Sequence, residues 1–334
     1  MLAKRMLTIF ITLPLILALA ACGSAAEEQT GPEELTPVTL VLDWTPNVNH
    51  IGAYVALAQG WFEEQGLGVS IIEPGDNLAL QLVAAGQAEF GYSYQEEVTY
   101  ARPAGAAAVS IAAVIQHNTS CFAAPVENGI KSVADFQGKV YGGWGGQVEE
   151  ALIAYLLEKE GFQPQVTCVN LGSSDFFAAT QGGEVDFSWI FYGTTGAEAQ
   201  TRSLELDTIM LRDLDPAFDY YTPVIVAEQE WLATEEHRET ARAFLAALSQ
   251  GYEYAAAQPQ QAAELMCSQT EGLDPDQVSA GAQLLAGEWI SDAPAWGRQE
   301  LAVWQGFATW LYEQGLLQQE LDAEAAFSNE YLPK

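Results

Sequence analysis

One construction occurs twice in this chain, and it limits the possible folds more than any other feature of the sequence. The stretches AGQAEFGYSY (85–94) and GGEVDFSWIFY (182–192) each follow an apolar segment with helical spacing, open with glycine and an acid, and end in aromatic residues. Aligning their glycines places Glu89 opposite Asp186. A short apolar run after a glycine turn is typical of a buried strand. The repetition therefore predicts two similarly built lobes.

The first part of the chain alternates strand and helix patterns. VTLVLDW (38–44) has the β-branched alternation of a strand, and IGAYVALAQGWFEEQGL (51–67) repeats apolar residues at helical spacing. VSIIEP (69–74) has a second strand pattern. Strand, helix and strand joined by short links indicate a parallel α/β unit, so the predicted fold class is α/β.

Two segments are predicted to pass between the lobes. Residues 110–125 are an apolar strand pattern that runs into a polar and proline-containing break, and residues 219–232 form a similar segment. Two crossings make a hinge, which we place near Ala124 and Thr222. The predicted domains are residues 38–125 plus 223–334 for the first lobe and 126–222 for the second.

The N-terminus has the pattern of a secretory signal. Lys4 and Arg5 precede an apolar run that ends in LALAAC (17–22), and this run is shorter than the ~20 residues of a transmembrane helix. We interpret residues 1–21 as a signal peptide. LALAAC resembles a bacterial lipobox, in which the cysteine, here Cys22, receives lipid. Residues 22–37 are small, acidic and proline-containing, which indicates a flexible tether that anchors the body to the outer side of the cell membrane.

Charge and cysteine content exclude several function classes. The formal net charge is −33, which repels nucleic acids and anionic lipid surfaces, so no nucleic-acid partner is expected. Cys121, Cys168 and Cys267 lack the spacing of a zinc site, and the sequence leaves open whether two of them form a disulfide. We expect no metal, no cofactor and a monomer.

The sequence contains no catalytic constellation that we recognise. GxSxG, HExxH and phosphate-binding loops are all missing, which favours a protein that is not an enzyme. The glycine-rich stretch YGGWGGQVEE (141–150) follows a strand pattern and opens a helix. Its first amides are expected to be free to donate to a ligand atom.

A crevice between the lobes is the expected ligand site. Ligands of open α/β sheets bind beyond the carboxyl ends of the strands, where this chain has aromatic, amide and acidic residues but lacks arginine and lysine. The ligand is therefore expected to be flat, uncharged or weakly basic, and rich in heteroatoms. The predicted ligand-binding residues are Asp43, Trp44, Asn47, His50, Tyr92, Tyr94, Gln95, Gln116, Asn118, Trp144, Glu149, Trp189, Tyr192, Asp219 and Tyr220.

Several stretches resemble one known family over the whole chain from Val38 onwards. They are LDWTPNVNHIGAYVALAQGWFEEQGL, LVAAGQAEFGYSYQEEVTYAR, KVYGGWGG, GGEVDFSWIFY and LDAEAAFSNEYLPK, and the most specific motif is TPN-x-NH (45–50). They resemble the bacterial substrate-binding lipoproteins of ABC importers in the thiamin-pyrimidine-synthase-like group. The resemblance implies a type II periplasmic-binding-protein fold with two α/β lobes.

The same superfamily contains a fungal pyrimidine synthase, which uses one lysine and one of its own histidines. In our alignment Ser93 occupies the lysine position and Glu97 the histidine position, and the fungal cysteine cluster is missing. The resemblance therefore implies binding rather than synthase activity.

The resemblance also implies a ligand class and a partner. The expected function is capture of a flat vitamin-like heterocycle and its delivery to an ABC permease in the membrane. Riboflavin is preferred because three fused rings need a long aromatic slot. A thiamin pyrimidine precursor, either formylaminopyrimidine or hydroxymethylpyrimidine, is the alternative, and a signalling surface protein is a further possibility.

Overall fold

The computed structural model describes residues 35–172 and 175–334. The predicted signal peptide, the lipidation site Cys22 and the tether up to residue 34 lie outside the described residues. In the described part of the chain, no helix combines the length and the apolar character needed to cross a membrane.

The described residues form two sheets of five strands each. The strands are β1 (Thr36–Val41), β2 (Leu67–Ile72), β3 (Phe90–Ser93), β4 (Ala108–Ala113), β5 (Ser120–Pro125), β6 (Val140–Gly143), β7 (Thr167–Asn170), β8 (Phe187–Phe191), β9 (Leu206–Met210) and β10 (Val224–Glu228). The strand orders are β2-β1-β3-β10-β4 and β7-β6-β8-β5-β9. In each sheet the first three strands are parallel, and the last two pairings are antiparallel.

Helices cover the sheets. Within the described residues they are α1 (Ile51–Gln59), α2 (Trp61–Glu64), α3 (Ala79–Ala84), α4 (Gln95–Ala101), α5 (Gln147–Lys159), α6 (Phe176–Gln181), α7 (Ala197–Thr201), α8 (Glu235–Ala257), α9 (Pro259–Gln269), α10 (Pro275–Leu285), α11 (Leu301–Glu313) and α12 (Ala323–Ala326). A single π-helical turn, Tyr192–Gly196, connects β8 to α7. The prediction of α/β structure is confirmed.

The repeated acid of the sequence has the same role in both sheets. Glu89 Oε2 accepts a hydrogen bond from the backbone N–H of Thr39 in β1 at 2.7 Å. Asp186 Oδ2 accepts one from the N–H of Val140 in β6 at 2.8 Å. Each acid thus joins the start of one central strand, β3 or β8, to its parallel neighbour. The shared sequence pattern reflects a shared way of building the two lobes.

The observed elements differ from the predicted domain limits at two places. β1 begins at Thr36, inside the predicted tether. β5 pairs with β8 and β9 in the second sheet, although residues up to 125 were assigned to the first lobe. The chain therefore passes between the sheets over residues 114–119, and not at Ala124. The polar residues of this segment separate one apolar pattern into two strands.

Each sheet has its own aromatic core. In the first core Phe62 and Phe90 both stack on Phe244 of α8, with ring centroids 5.4 Å and 4.1 Å away. In the second core Phe136 stacks on Phe187 at 4.4 Å. Helix α11 contributes Phe307, Trp310 and Leu311 to the second core, although its sequence lies in the part assigned to the first lobe. The three cysteines of the described residues, Cys121, Cys168 and Cys267, are free thiols.

Candidate functional site

The ends of the two central strands come close together between the two sheets. Tyr94, which follows β3, lies nearly parallel to Phe191, the last residue of β8, with 6.4 Å between ring centroids and 17° between ring planes. One ring comes from each sheet. We call the space around this ring pair, together with the side chains described next, the inter-sheet crevice.

Two tryptophans extend the aromatic wall of the second sheet. Trp144 is half exposed and lies 6.0 Å from Trp189 and 6.1 Å from Phe191, measured between ring centroids. Side chains of a strand alternate between its faces, so Trp189 and Phe191 project from the same face of β8. The indole Nε1 of Trp189 is buried without a hydrogen-bond partner among the described residues.

On the first sheet, Asp43 is held by His50. His50 Nδ1 accepts a hydrogen bond from the N–H of Asn47, so Nε2 carries the proton and donates to Asp43 Oδ1 at 2.6 Å. Burial favours the neutral acid. The electrostatic interaction and hydrogen bond with His50, together with the hydrogen bond of Tyr94, outweigh burial and keep the pKa of Asp43 below its usual value.

Glu96 is the acid of the crevice that has no hydrogen-bond partner among the described residues. It lies in the first turn of α4, two residues after Tyr94. Burial, followed by the charges of Glu97 and Glu149, raises the pKa of Glu96 to about 7. Its neighbour Glu97 differs, because Ser93 Oγ donates a hydrogen bond to it at 2.5 Å. Near neutral pH the Glu96 carboxyl can therefore either donate or accept a hydrogen bond.

The side chain of Glu149 holds the glycine-rich loop in place through hydrogen bonds. Its carboxylate accepts hydrogen bonds from the hydroxyl of Tyr141 at 2.5 Å, the N–H of Trp144 at 3.0 Å and the N–H of Gly146 at 2.8 Å. The prediction that the amides of this loop are free for a ligand is wrong for Trp144 and Gly146. Glu149 positions Trp144 in the crevice, and its own oxygens are engaged by the loop.

Tyr92 lies in the core of the first sheet and not in the crevice. Its side chain is fully buried, and its hydroxyl is 2.8 Å from that of Tyr252. The prediction that Tyr92 binds the ligand is therefore wrong. Tyr92 lies within β3 and points towards Tyr252 of α8, whereas Tyr94 lies beyond the end of the strand. Tyr220 is also nearly buried, stacked on Phe307 with ring centroids 4.0 Å apart.

Three further predicted residues hold the crossing segments together. Gln95 accepts from the N–H of Tyr221 and donates to the carbonyl of Val303. Asn118 donates to the carbonyl of Phe218 at 2.9 Å, and Asp219 accepts from the N–H of Asn118 at 2.8 Å. Their polar atoms are thus engaged within the chain, which leaves them a positioning role.

The remaining predicted residues differ in how accessible they are. Asn47 caps the turn that follows it through the N–H of Asn49. Trp44 is 64% exposed. Tyr192 packs against the π-helical turn, where a side chain at Gly196 would meet its ring. Gln116 is buried, and its amide nitrogen has no partner among the described residues.

Glu96 and Phe191 line the crevice but are not among the fifteen predicted residues. Both lie in segments that the sequence analysis placed at the crevice. Phe191 is the residue before the last aromatic of the second repeated stretch, and Glu96 is one of the acids that follow the first stretch. An ion pair between the lobes was also missed. Arg212, which follows β9, makes two hydrogen bonds to Glu288, at 2.7 Å and 3.0 Å.

Comparison with known proteins identifies the family. The model of the NMT1/THI5-like family matches residues 47–262. The chain belongs to this family. The formylaminopyrimidine-binding protein of Halalkalibacterium halodurans is 29% identical over 94% of this chain and 96% of the relative. Riboflavin-binding protein RibY of Chloroflexus aurantiacus is 23% identical over 94% of this chain and 91% of the relative.

Similar proteins of known structure establish the fold of this NMT1/THI5-like chain. The periplasmic aliphatic sulphonate binding protein SsuA of Escherichia coli superposes with a TM-score of 0.67 at 18% identity, over 87% of this chain and 97% of that one. The predicted periplasmic-binding-protein fold is confirmed. The family also contains proteins named as pyrimidine phosphate synthases, such as one from Saccharomyces cerevisiae that is 24% identical over 66% of this chain.

Proposed function

We propose that this protein is the substrate-binding component of an ABC importer. It captures a flat N-heterocycle outside the cytoplasm and delivers it to a membrane permease, and a lipid on Cys22 anchors it to the membrane. The family, the periplasmic-binding-protein fold and two relatives named as binding proteins support this function.

The observation that carries the proposal is the ring pair of Tyr94 and Phe191. Two rings that hold a flat molecule between them are separated by about 7 Å, twice the ~3.5 Å contact distance of carbon atoms. The ring centroids of Tyr94 and Phe191 are 6.4 Å apart and the ring planes are 17° from parallel, so an opening of the crevice that sets the two rings face to face at this spacing admits one heterocycle. Because the two rings belong to different sheets, a stacked ligand joins the lobes.

Glu96 favours an aminopyrimidine of the thiamin precursor type. A carboxyl group with a pKa of about 7 matches a weakly basic heterocycle, whose amino group donates and whose ring nitrogen accepts. The preference for riboflavin rested on the number of crevice rings. That number falls because Tyr92 is in the core and Tyr220 is nearly buried. A single-ring ligand now fits the remaining rings better.

Riboflavin remains the second candidate because of two exposed indoles. Trp44 and Trp144 are 64% and 51% exposed and extend the aromatic surface beyond the central ring pair. The relative RibY supports this candidate, because it matches the same share of this chain, 94%, as the formylaminopyrimidine-binding protein does.

A binding role is favoured over catalysis by the segment around Ser93. In our alignment Ser93 occupies the position of the synthase lysine, and its hydroxyl is engaged by Glu97. The segment therefore offers no amine that could form a Schiff base. Incubation with pyridoxal phosphate is expected to give no Schiff-base absorbance band.

Titration calorimetry with formylaminopyrimidine and riboflavin tests the proposal. Wild-type protein is expected to bind formylaminopyrimidine more tightly. Phe191→Ala is expected to weaken binding about 5- to 100-fold, because stacking on one aromatic face contributes ~1–3 kcal/mol. Tyr312→Ala removes a half-exposed ring on α11, outside the crevice, and is the matched control. Equal affinities of the two variants would contradict the proposed site.

A further inference from the structure

Two buried hydrogen-bond donors of the crevice region have no acceptor. Trp189 is 6% exposed and Gln116 is 7% exposed, and neither Trp189 Nε1 nor Gln116 Nε2 has a partner among the described residues. A buried donor without an acceptor has lost its hydrogen bond to water and gained none in return, which destabilises the folded state. Folded proteins satisfy the large majority of such groups, so each of these two needs an explanation.

One donor lies in the second sheet and the other in the segment that passes between the sheets. Trp189 lies on the same face of β8 as Phe191, and its ring centroid is 6.0 Å from that of Trp144, so its indole packs beside these two rings. Gln116 lies in the crossing segment that leads out of β4, and its backbone N–H is fixed to the carbonyl of Glu288 in the first lobe. This backbone hydrogen bond fixes the position of the crossing segment, whereas the side-chain amide nitrogen of Gln116 has no partner among the described residues.

We infer that Trp189 and Gln116 are specificity-determining donors, which bind two acceptor atoms of the ligand, ring nitrogens or carbonyl oxygens, when the crevice closes on it. The inference rests on the proposed function and adds the hydrogen-bond pattern of the ligand to it. Stacking accepts any flat ring, because every heterocycle has an apolar face. The two donors select against a ring of the same shape that lacks acceptors, since such a ring leaves both of them unpaired.

The two donors, Trp189 and Gln116, complement the carboxyl group of Glu96. Glu96 can accept a hydrogen bond from an amino group, while Trp189 and Gln116 can only donate from the atoms in question. Together they require a ligand with at least one donor and two acceptors. An aminopyrimidine has this pattern, and the carbonyl oxygens and imide N–H of a flavin also supply it.

The chain contains a matched control for the tryptophan. Trp310 of α11 is also buried, and its Nε1 also has no partner among the described residues. It packs among Phe218, Tyr155 and Phe307 in the second core, away from the ring pair. Trp189→Phe and Trp310→Phe remove the same atoms from the same core, but only the first removes a donor from the crevice.

The experiment is calorimetric titration of wild type, Trp189→Phe and Trp310→Phe with formylaminopyrimidine. Riboflavin is titrated in parallel. For the heterocycle that binds wild type, Trp189→Phe is expected to lose about 3- to 30-fold in affinity, as for one buried hydrogen bond. Trp310→Phe is expected to keep the wild-type affinity.

The outcomes separate this inference from the proposed function. Equal losses in the two tryptophan variants, or an undiminished affinity of Trp189→Phe, overturn the inference alone. Gln116→Met, which keeps the length of the side chain and removes the amide, is expected to lose affinity in the same way. A wild-type protein that binds neither heterocycle overturns the proposed function and the inference with it.

Discussion

At the scale of single residues, the crevice is organised by acids with different tasks. Asp43 and Glu149 are bonded to side chains and backbone groups that keep Tyr94 and Trp144 in place. Glu96 has no such bond among the described residues, and burial raises its pKa. Acids that look alike in the sequence thus divide into positioning groups and one free group, according to the hydrogen bonds that the fold supplies.

Replacing Glu96 is expected to change how stability depends on pH. Because its pKa rises from the usual 4.5 to about 7 on folding, the native state binds more protons than the unfolded state between these values. Stability is therefore lost as pH rises through this window. Glu96→Gln is expected to avoid this loss, about 2 kcal/mol once partial exposure is allowed for. Urea unfolding at pH 4.5 and pH 8 measures the difference, and Glu150→Gln, at an exposed position beside Glu149, is the control.

A second residue-scale prediction concerns the glycine loop. A Cβ at Gly143 would overlap Glu149 Oε1 and lie 2.5 Å from the ring of Tyr141. Gly143→Ala is therefore expected to displace the carboxylate that holds the loop and to reduce the free energy of unfolding by about 2–4 kcal/mol. At Gly287 an added Cβ meets nothing within 4 Å, so Gly287→Ala is the control. Urea unfolding measures both variants. An equal change in the free energy of unfolding would argue against the role of Glu149 in holding the loop.

At the scale of elements, the strands with local signals were predictable from the sequence, and their partners were not. The glycine, the acid and the short apolar run of β3 and β8 could be recognised because turn chemistry and strand patterning are local. The assignment of β5 to the second sheet depends on its pairing with β8 and β9, which are far away in the sequence. For the same reason the ring of Tyr92 could not be distinguished from that of Tyr94, since core and crevice rings follow the same apolar pattern.

The crossing segments are joined by a histidine that titrates. His117 Nδ1 lies 2.7 Å from Asp219 Oδ2, and Nε2 lies 3.1 Å from Asp292 Oδ1. Desolvation lowers the pKa of His117, but the hydrogen bonds and charges of these two acids outweigh it and raise the pKa overall. The stabilisation is complete below the unfolded pKa of about 6.5 and is lost as pH rises through the folded pKa.

We therefore expect His117→Gln to be less stable than wild type below the unfolded pKa of about 6.5, and the difference to disappear as pH rises through the higher folded pKa of His117. The difference is expected to be below about 1 kcal/mol, because the side chains are partly exposed. Thermal unfolding across this pH range measures it. His237→Gln is the control, since His237 Nδ1 is hydrogen-bonded to the carbonyl of Trp231 and His237 forms no ion pair with an acid of the described residues. A difference that grows with pH would contradict the prediction.

At the scale of the whole molecule, several contacts of the described residues join the two lobes around the crevice. They include the ring pair of Tyr94 and Phe191, the ion pair of Arg212 and Glu288, and the contact of α10 with the π-helical turn after β8. Helix α10 belongs to the first core through Val278, Ala282 and Leu285, whereas the turn continues the second sheet. The last contact is made by backbone: a Cβ at Gly281 would overlap the carbonyl oxygen of Gly193.

This close approach makes Gly281 a direct test of lobe closure. In Gly281→Ala the added methyl group holds α10 away from the turn, so the lobes are expected to stay apart when ligand is present. Because a stacked ligand needs both Tyr94 and Phe191, we expect at least about a 10-fold loss of affinity, the effect of ~1.4 kcal/mol. Small-angle scattering is expected to show a smaller radius of gyration for wild type with ligand than without it, and little change for the variant. Gly306→Ala places a methyl group in α11, where the nearest atom, the Cα of Ala217, is 3.9 Å away, and it is expected to behave as wild type. If Gly281→Ala closes on its ligand as fully as Gly306→Ala does, then closure does not require this contact, and the ring pair, the ion pair and the other contacts between the lobes are sufficient for it.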